Sequence, residues 1–112
     1  MFDQRKHRRY RTIALARLPG MFESEIFLKD LSITGCSIEA AVFIELTRGV
    51  VYPIEIIPES ASKIGRFEVQ GEARWVYLHE DSYEAGFMIT ASPVKKEFQR
   101  YIDYLVWRSS SA

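Results

Sequence analysis

A single cysteine, Cys36, stands in a chain of 112 residues, which excludes an internal disulfide. Histidine is nearly as scarce. His7 and His79 make no ligand cluster of recognisable spacing with that cysteine, so no metal is expected. No apolar run approaches the roughly 20 residues that a membrane-spanning helix needs. The basic N-terminus continues into Tyr10-Arg11-Thr12 instead of a signal-peptide apolar segment, so the expectation is a cytoplasmic protein without membrane insertion. Catalytic signatures are missing as well: there is no G-x-S-x-G elbow, no Gly-rich phosphate loop opening a helix, and no grouped nucleophile, base and orienting residue. An enzyme is not expected, nor a cofactor.

What is present suits one soluble domain, with 47% hydrophobic and 27% charged residues. A domain of this length buries about two thirds of its unfolded surface, enough for one core. Net charge is zero, yet residues 1–17 hold six Lys or Arg (Arg5, Lys6, Arg8, Arg9, Arg11, Arg17) against Asp3 alone, leaving the remainder acidic by five charges. Such asymmetry points to an anionic partner for the N-terminal arm, while the acidic body argues against long nucleic acid.

Periodicity reads mostly as strand. Tyr10 to Leu18 alternates, with Thr12, Ala14 and Ala16 on one face and Ile13 and Leu15 on the other, and stops at the turn pair Pro19-Gly20. Further strand-like runs follow at Glu25 to Leu31, Gly35 to Ala40, Val50 to Ile57, Phe67 to Leu78 and Tyr83 to Thr90, separated by pieces such as Pro58-Glu59-Ser60 and His79-Glu80-Asp81-Ser82. Six short strands so spaced predict a mainly β fold, a six-stranded antiparallel β-barrel. From Ser92 the period changes. Ser92 can cap, Pro93 suits the first turn, and Val94, Phe98, Ile102, Leu105 and Val106 share one face, predicting a C-terminal helix over about 92–108. Residues 1–9 then form a flexible basic arm and 10–112 a single domain. Tyr101, Tyr104 and Trp107 lie off the main stripe; if exposed together they would mark an interface, so the expected state is a monomer or weak homodimer.

Two patterns carry the chemistry. In Arg5-Lys6-His7-Arg8-Arg9 guanidinium groups are concentrated, and the planar fork of Arg meets phosphate oxygens or the Hoogsteen edge of guanine with paired hydrogen bonds. In Asp30-Leu31-Ser32-Ile33-Thr34-Gly35 the carboxylate can accept from guanine amino and imino groups and the hydroxyl can donate to phosphate. The glycine there allows a positive φ or a close backbone approach. The same Asp and Ser could instead simply stabilise a hairpin turn through their own backbone.

Arranged as R-x-x-x-R followed about twenty residues later by D-x-S-x-x-G, the chain resembles the PilZ domain family, bacterial receptors for cyclic di-GMP. Gly71-Glu72-Ala73-Arg74-Trp75-Val76 and Tyr83-Glu84-Ala85-Gly86-Phe87 extend the resemblance over nearly the whole chain. It implies a PilZ-like barrel and a site in which Arg5 and Arg9 engage guanine edges and phosphates, Asp30 and Ser32 contact the ligand, and Gly35 enables backbone approach. Arg8 and Lys6 would be secondary phosphate contacts. Trp75 would stack on a guanine face or, equally, sit in the core; strand alternation lets only one of Arg74 and Trp75 face the ligand. Gln4, preceding the first motif arginine, leaves open whether one dinucleotide or two are bound. The implied function is a cyclic di-GMP receptor or adaptor that changes surface on binding and signals in trans to a downstream protein. The alternatives are a small barrel binding single-stranded nucleic acid and a PilZ-like interaction scaffold that binds no nucleotide.

Overall fold

The computed structural model describes residues 8–92 and 95–110. Seven strands and one α-helix follow in order: β1 Tyr10–Arg11, β2 Leu15–Leu18, β3 Phe22–Leu31, β4 Gly35–Ala40, β5 Val51–Ile57, β6 Phe67–Leu78, β7 Tyr83–Ala91 and α1 Lys95–Ser110, with a short 3-10 turn at Ser60–Ser62. All pairings are antiparallel. The order β3-β2-β5-β6-β7-β4 is closed by pairing of β4 with β3, and β1 adds to β3 outside that ring. The expected six-stranded barrel is therefore present, with one additional two-residue strand.

That extra strand corrects the reading of Tyr10 to Leu18 as one continuous strand, and Thr12 is the cause. Its hydroxyl donates to the Leu28 carbonyl at 2.5 Å and accepts from the Ala14 amide at 3.0 Å, so a side chain takes over bonds that a ladder would make. The alternation survives the break. Ala14, Ala16 and Leu18 are buried to within 1% of full, while Ile13 is exposed. At Pro19-Gly20, the Met21 amide donates to the Leu18 carbonyl at 3.0 Å and Gly20 has φ 77°, a turn that needs glycine at its third position.

Inside the ring the alternating apolar positions of every strand meet. Leu28, Leu31, Cys36, Ile38, Ile54, Ile56, Val69, Ala85 and Phe87 form the centre of the core. Helix α1 contributes Phe98, Tyr101, Ile102 and Leu105, with Phe98 stacked 5.7 Å from Phe67. The predicted stripe needs two changes. Val106 is exposed, and Tyr101 is fully buried, so Tyr101, Tyr104 and Trp107 do not form a common exposed patch. Tyr101 can enter the core because its hydroxyl donates to the Glu59 carboxylate at 2.5 Å, which satisfies the phenol away from water. Arg108 donates to the same carboxylate at 2.9 Å and to the Arg11 carbonyl, tying the end of α1 to β1. Burial, then the bond to Glu59, pushes the Tyr101 hydroxyl pKa far up. The expected first-turn Pro93 and the stripe residue Val94 lie outside the described residues.

Candidate functional site

The Asp30–Gly35 turn joins β3 to β4, and Ser32 organises it. The Ser32 amide donates to the Gly35 carbonyl at 2.8 Å, and its hydroxyl accepts from the amides of Thr34 and Gly35, each at 3.1 Å. With Ser32 only 2% exposed, the geometry shows the turn-building side of its two expected roles.

Asp30 ends the turn on the outer face, opposite Arg11 on β1 and Ser37 on β4. Arg9 reaches it from the chain just before β1. Its Nη1 donates to Asp30 Oδ1 at 3.1 Å, with the two side chains 18% and 24% exposed. Gly35 leaves room for this docking, and does not have a positive φ. A Cβ on Gly35 would stand 2.6 Å from Nη2 of Arg9 and 3.0 Å from the Phe87 carbonyl oxygen. Arg9 is thus brought to Asp30 and Gly35, which lie more than twenty residues away in sequence.

Arg8 is not brought to Asp30. Its guanidinium lies over the Tyr10 ring, 5.2 Å from the centroid, and it lines a cavity of about 250 Å³ beside α1 with Ile33, Gln99 and Asp103. Arg5 and Lys6 lie outside the described residues.

Trp75 belongs to the outer face, not the core. Strand register places Trp75 opposite Gly86, Gly86 opposite Ser37, and Ser37 opposite Asp30, one row across β6, β7, β4 and β3. The indole is 37% exposed and neighbours Tyr77, with ring centroids 5.4 Å apart. The expected alternation of Arg74 and Trp75 fails because the register slips between Ala73 and Trp75, a bulge that re-aims the strand. Both residues are exposed, and Arg74 pairs with Glu72 at 3.1 Å.

Sequence reasoning missed Ser37 and Gly86. Neither was given a role, although Gly86 lies in the segment 83–87, and only strand register puts them between Asp30 and Trp75. Beneath the row Cys36 is fully buried, and desolvation, helped by the Asp30 charge and opposed by Arg9, pushes its thiol up to about 12. It stays a neutral core side chain. Among the described residues no group of three His, Cys, Asp or Glu could hold a metal ion, and no helix is long and apolar enough to cross a membrane. The outer face thus offers a carboxylate and a partly open indole in one row, with the Arg9 guanidinium docked on the carboxylate: donors for phosphate or a purine edge, an acceptor for amino and imino groups, and a stacking surface.

Structures of known proteins share this architecture. The inhibitor of motility MotI/DgrA of Bacillus subtilis superposes with a TM-score of 0.80 at 12% identity over 96% of this chain. Apo MrkH of K. pneumonia gives 0.73 at 13% identity over 98%. The chain spans about half of each, 52% and 54% respectively. The PilZ domain of YcgR from Escherichia coli, determined with c-di-GMP, gives 0.68 at 19% identity and is covered over 95% of its own length. No family model and no curated protein matches the chain. The class these likenesses define is a fold class: a small closed barrel with a C-terminal helix. In particular, the chain has a PilZ-like fold.

Proposed function

We propose that this domain is a cyclic di-GMP receptor, binding the dinucleotide on the outer face of the barrel between the residues preceding β1 and the Asp30–Gly35 turn. The observation that carries this reading is the docking of Arg9 onto Asp30 over Gly35, which unites the end of R-x-x-x-R with D-x-S-x-x-G. That the neighbouring YcgR PilZ domain was determined with c-di-GMP supports the ligand. Arg9, with Arg5 from the preceding segment, engages guanine edges and phosphates; Asp30 accepts from a guanine, Trp75 stacks on a base, Ser32 holds the turn in shape, and Gly35 leaves the Arg9 guanidinium room against the barrel. Arg8, on the helix side, is a secondary phosphate contact. The domain performs no catalysis. Its output is an altered surface around the arm, read in trans by a partner protein, and its place of action is the cytoplasm.

Calorimetric titration at physiological salt tests this directly. Saturable binding of cyclic di-GMP, with no comparable binding of GMP or of single-stranded oligonucleotides, is the expected result. Binding of oligonucleotides alone would make the chain a nucleic-acid-binding barrel, and binding of none would leave an interaction scaffold.

A further inference from the structure

Gly86 sits in the interior of β7 between Ala85 and Phe87, both buried. Its φ is not in the left-handed region, so the backbone does not require glycine, and glycine weakens a strand interior through its conformational entropy. The explanation lies on the outer face. A Cβ on Gly86 would collide with Cε2, Nε1 and Cζ2 of Trp75, so the indole rests where the glycine has no side chain.

Gly35 repeats the arrangement one strand away, with the Arg9 guanidinium in the space its side chain would take. Gly35 pairs with Met88 and Ser37 with Gly86, which makes the two glycines diagonal neighbours on β4 and β7. Two flat groups therefore lie close against the barrel, side by side, each over a glycine. An indole serving only to cover a gap in the barrel would be sealed; this one is 37% exposed and shares its row with Ser37 and Asp30.

We propose that Gly86 is a positioning residue: it seats the Trp75 indole flat on the barrel, level with the Arg9 guanidinium, so that the ring presents its face to a guanine base. This rests on the cyclic di-GMP reading above.

The test is a cycle of Gly86→Ala, Trp75→Ala and the double variant, each titrated with cyclic di-GMP and melted, with Trp75 emission followed in a Trp107→Phe background. Gly86→Ala is expected to shift that emission and weaken binding by about five- to a hundred-fold, the range of one lost stacking contact. The double variant should bind no worse than Trp75→Ala. Its stability should match or exceed that of Trp75→Ala, because with the indole gone an alanine fits an ordinary strand position. A glycine needed only by the barrel would instead destabilise the double variant as much as the single one, and that result overturns the proposal. Unchanged affinity in Gly86→Ala overturns it too while leaving the receptor reading standing, whereas a wild-type protein that binds no cyclic di-GMP brings down both. If Gly86→Ala alone does not fold, recovery of folding in the double variant supports the seat, and failure of both variants to fold overturns it.

Discussion

At the scale of single residues, the D-x-S-x-x-G turn divides its work, and substitution separates the parts. Asp30 carries a charge on a partly exposed outer face, where an ion pair with Arg9 contributes about 0–1 kcal/mol to folding. As a charge-assisted acceptor for a ligand it is worth more. Asp30→Ala is expected to weaken cyclic di-GMP binding by about 1.5–3 kcal/mol, roughly ten- to a hundred-fold, with a melting temperature close to wild type. Calorimetry beside a thermal melt reads both. Ser32 shows the opposite balance: its hydroxyl is the acceptor for two turn amides. Ser32→Ala leaves those donors without it and should cost about 1–3 kcal/mol of stability, seen as a lowered denaturant midpoint. The turn-building role of Ser32 was legible because the motif is contiguous. Gly86 was not, since its meaning depends on which strand passes beside it.

At the scale of elements, the strands were legible where alternation alone determines them, as in Gly35–Ala40, recovered at its observed bounds. They were not where a side chain replaces a ladder bond, as Thr12 does; at Arg74 the strand itself was recovered at its bounds, Phe67–Leu78, and only the side-chain alternation was lost to the bulge. Nor does periodicity foretell links between strands that are not neighbours. Lys29 on β3 reaches across β4 to Glu84 on β7 at 2.9 Å, and His79 approaches the same carboxylate at 2.9 Å. The bond from Lys29, with a further contribution from His79, holds the Glu84 carboxyl below its ordinary range, and Glu84 raises the Lys29 amine. A lowered carboxyl stabilises the fold above its unfolded-state value and loses that contribution as pH falls through the folded one. The raised amine contributes below its own unfolded value and loses its part only as pH rises through the folded value, beyond about 10.4. Glu84→Gln should therefore lower stability by about 0.2–1 kcal/mol at neutral pH, given that Lys29 is 41% exposed. Melts of both proteins from pH 7 downward should converge below the carboxylate range of about 4.3.

At the scale of the whole molecule, closure of the barrel brings the two halves of the site together. The antiparallel class and terminal helix were readable from strand count and a change of period; the closing pair β3 with β4 and the clamp from Arg108 to Arg11 and Glu59 depend on three-dimensional register. Because Arg9 and Asp30 come together only in the folded chain, a ligand that needs both binds the native state and not the unfolded one. Linkage then requires stabilisation, about 2.7 kcal/mol when free ligand is a hundred times its dissociation constant. For a domain of this size that corresponds to a rise of roughly 10 °C in melting temperature, at about 4 °C per kcal/mol. Cyclic di-GMP should produce this rise in wild type and a smaller one in Asp30→Ala at the same concentration, since weaker binding lowers the ratio of ligand to dissociation constant. GMP at equal concentration should leave the melt unchanged, and equal rises in wild type and Asp30→Ala would place the ligand away from this face of the barrel.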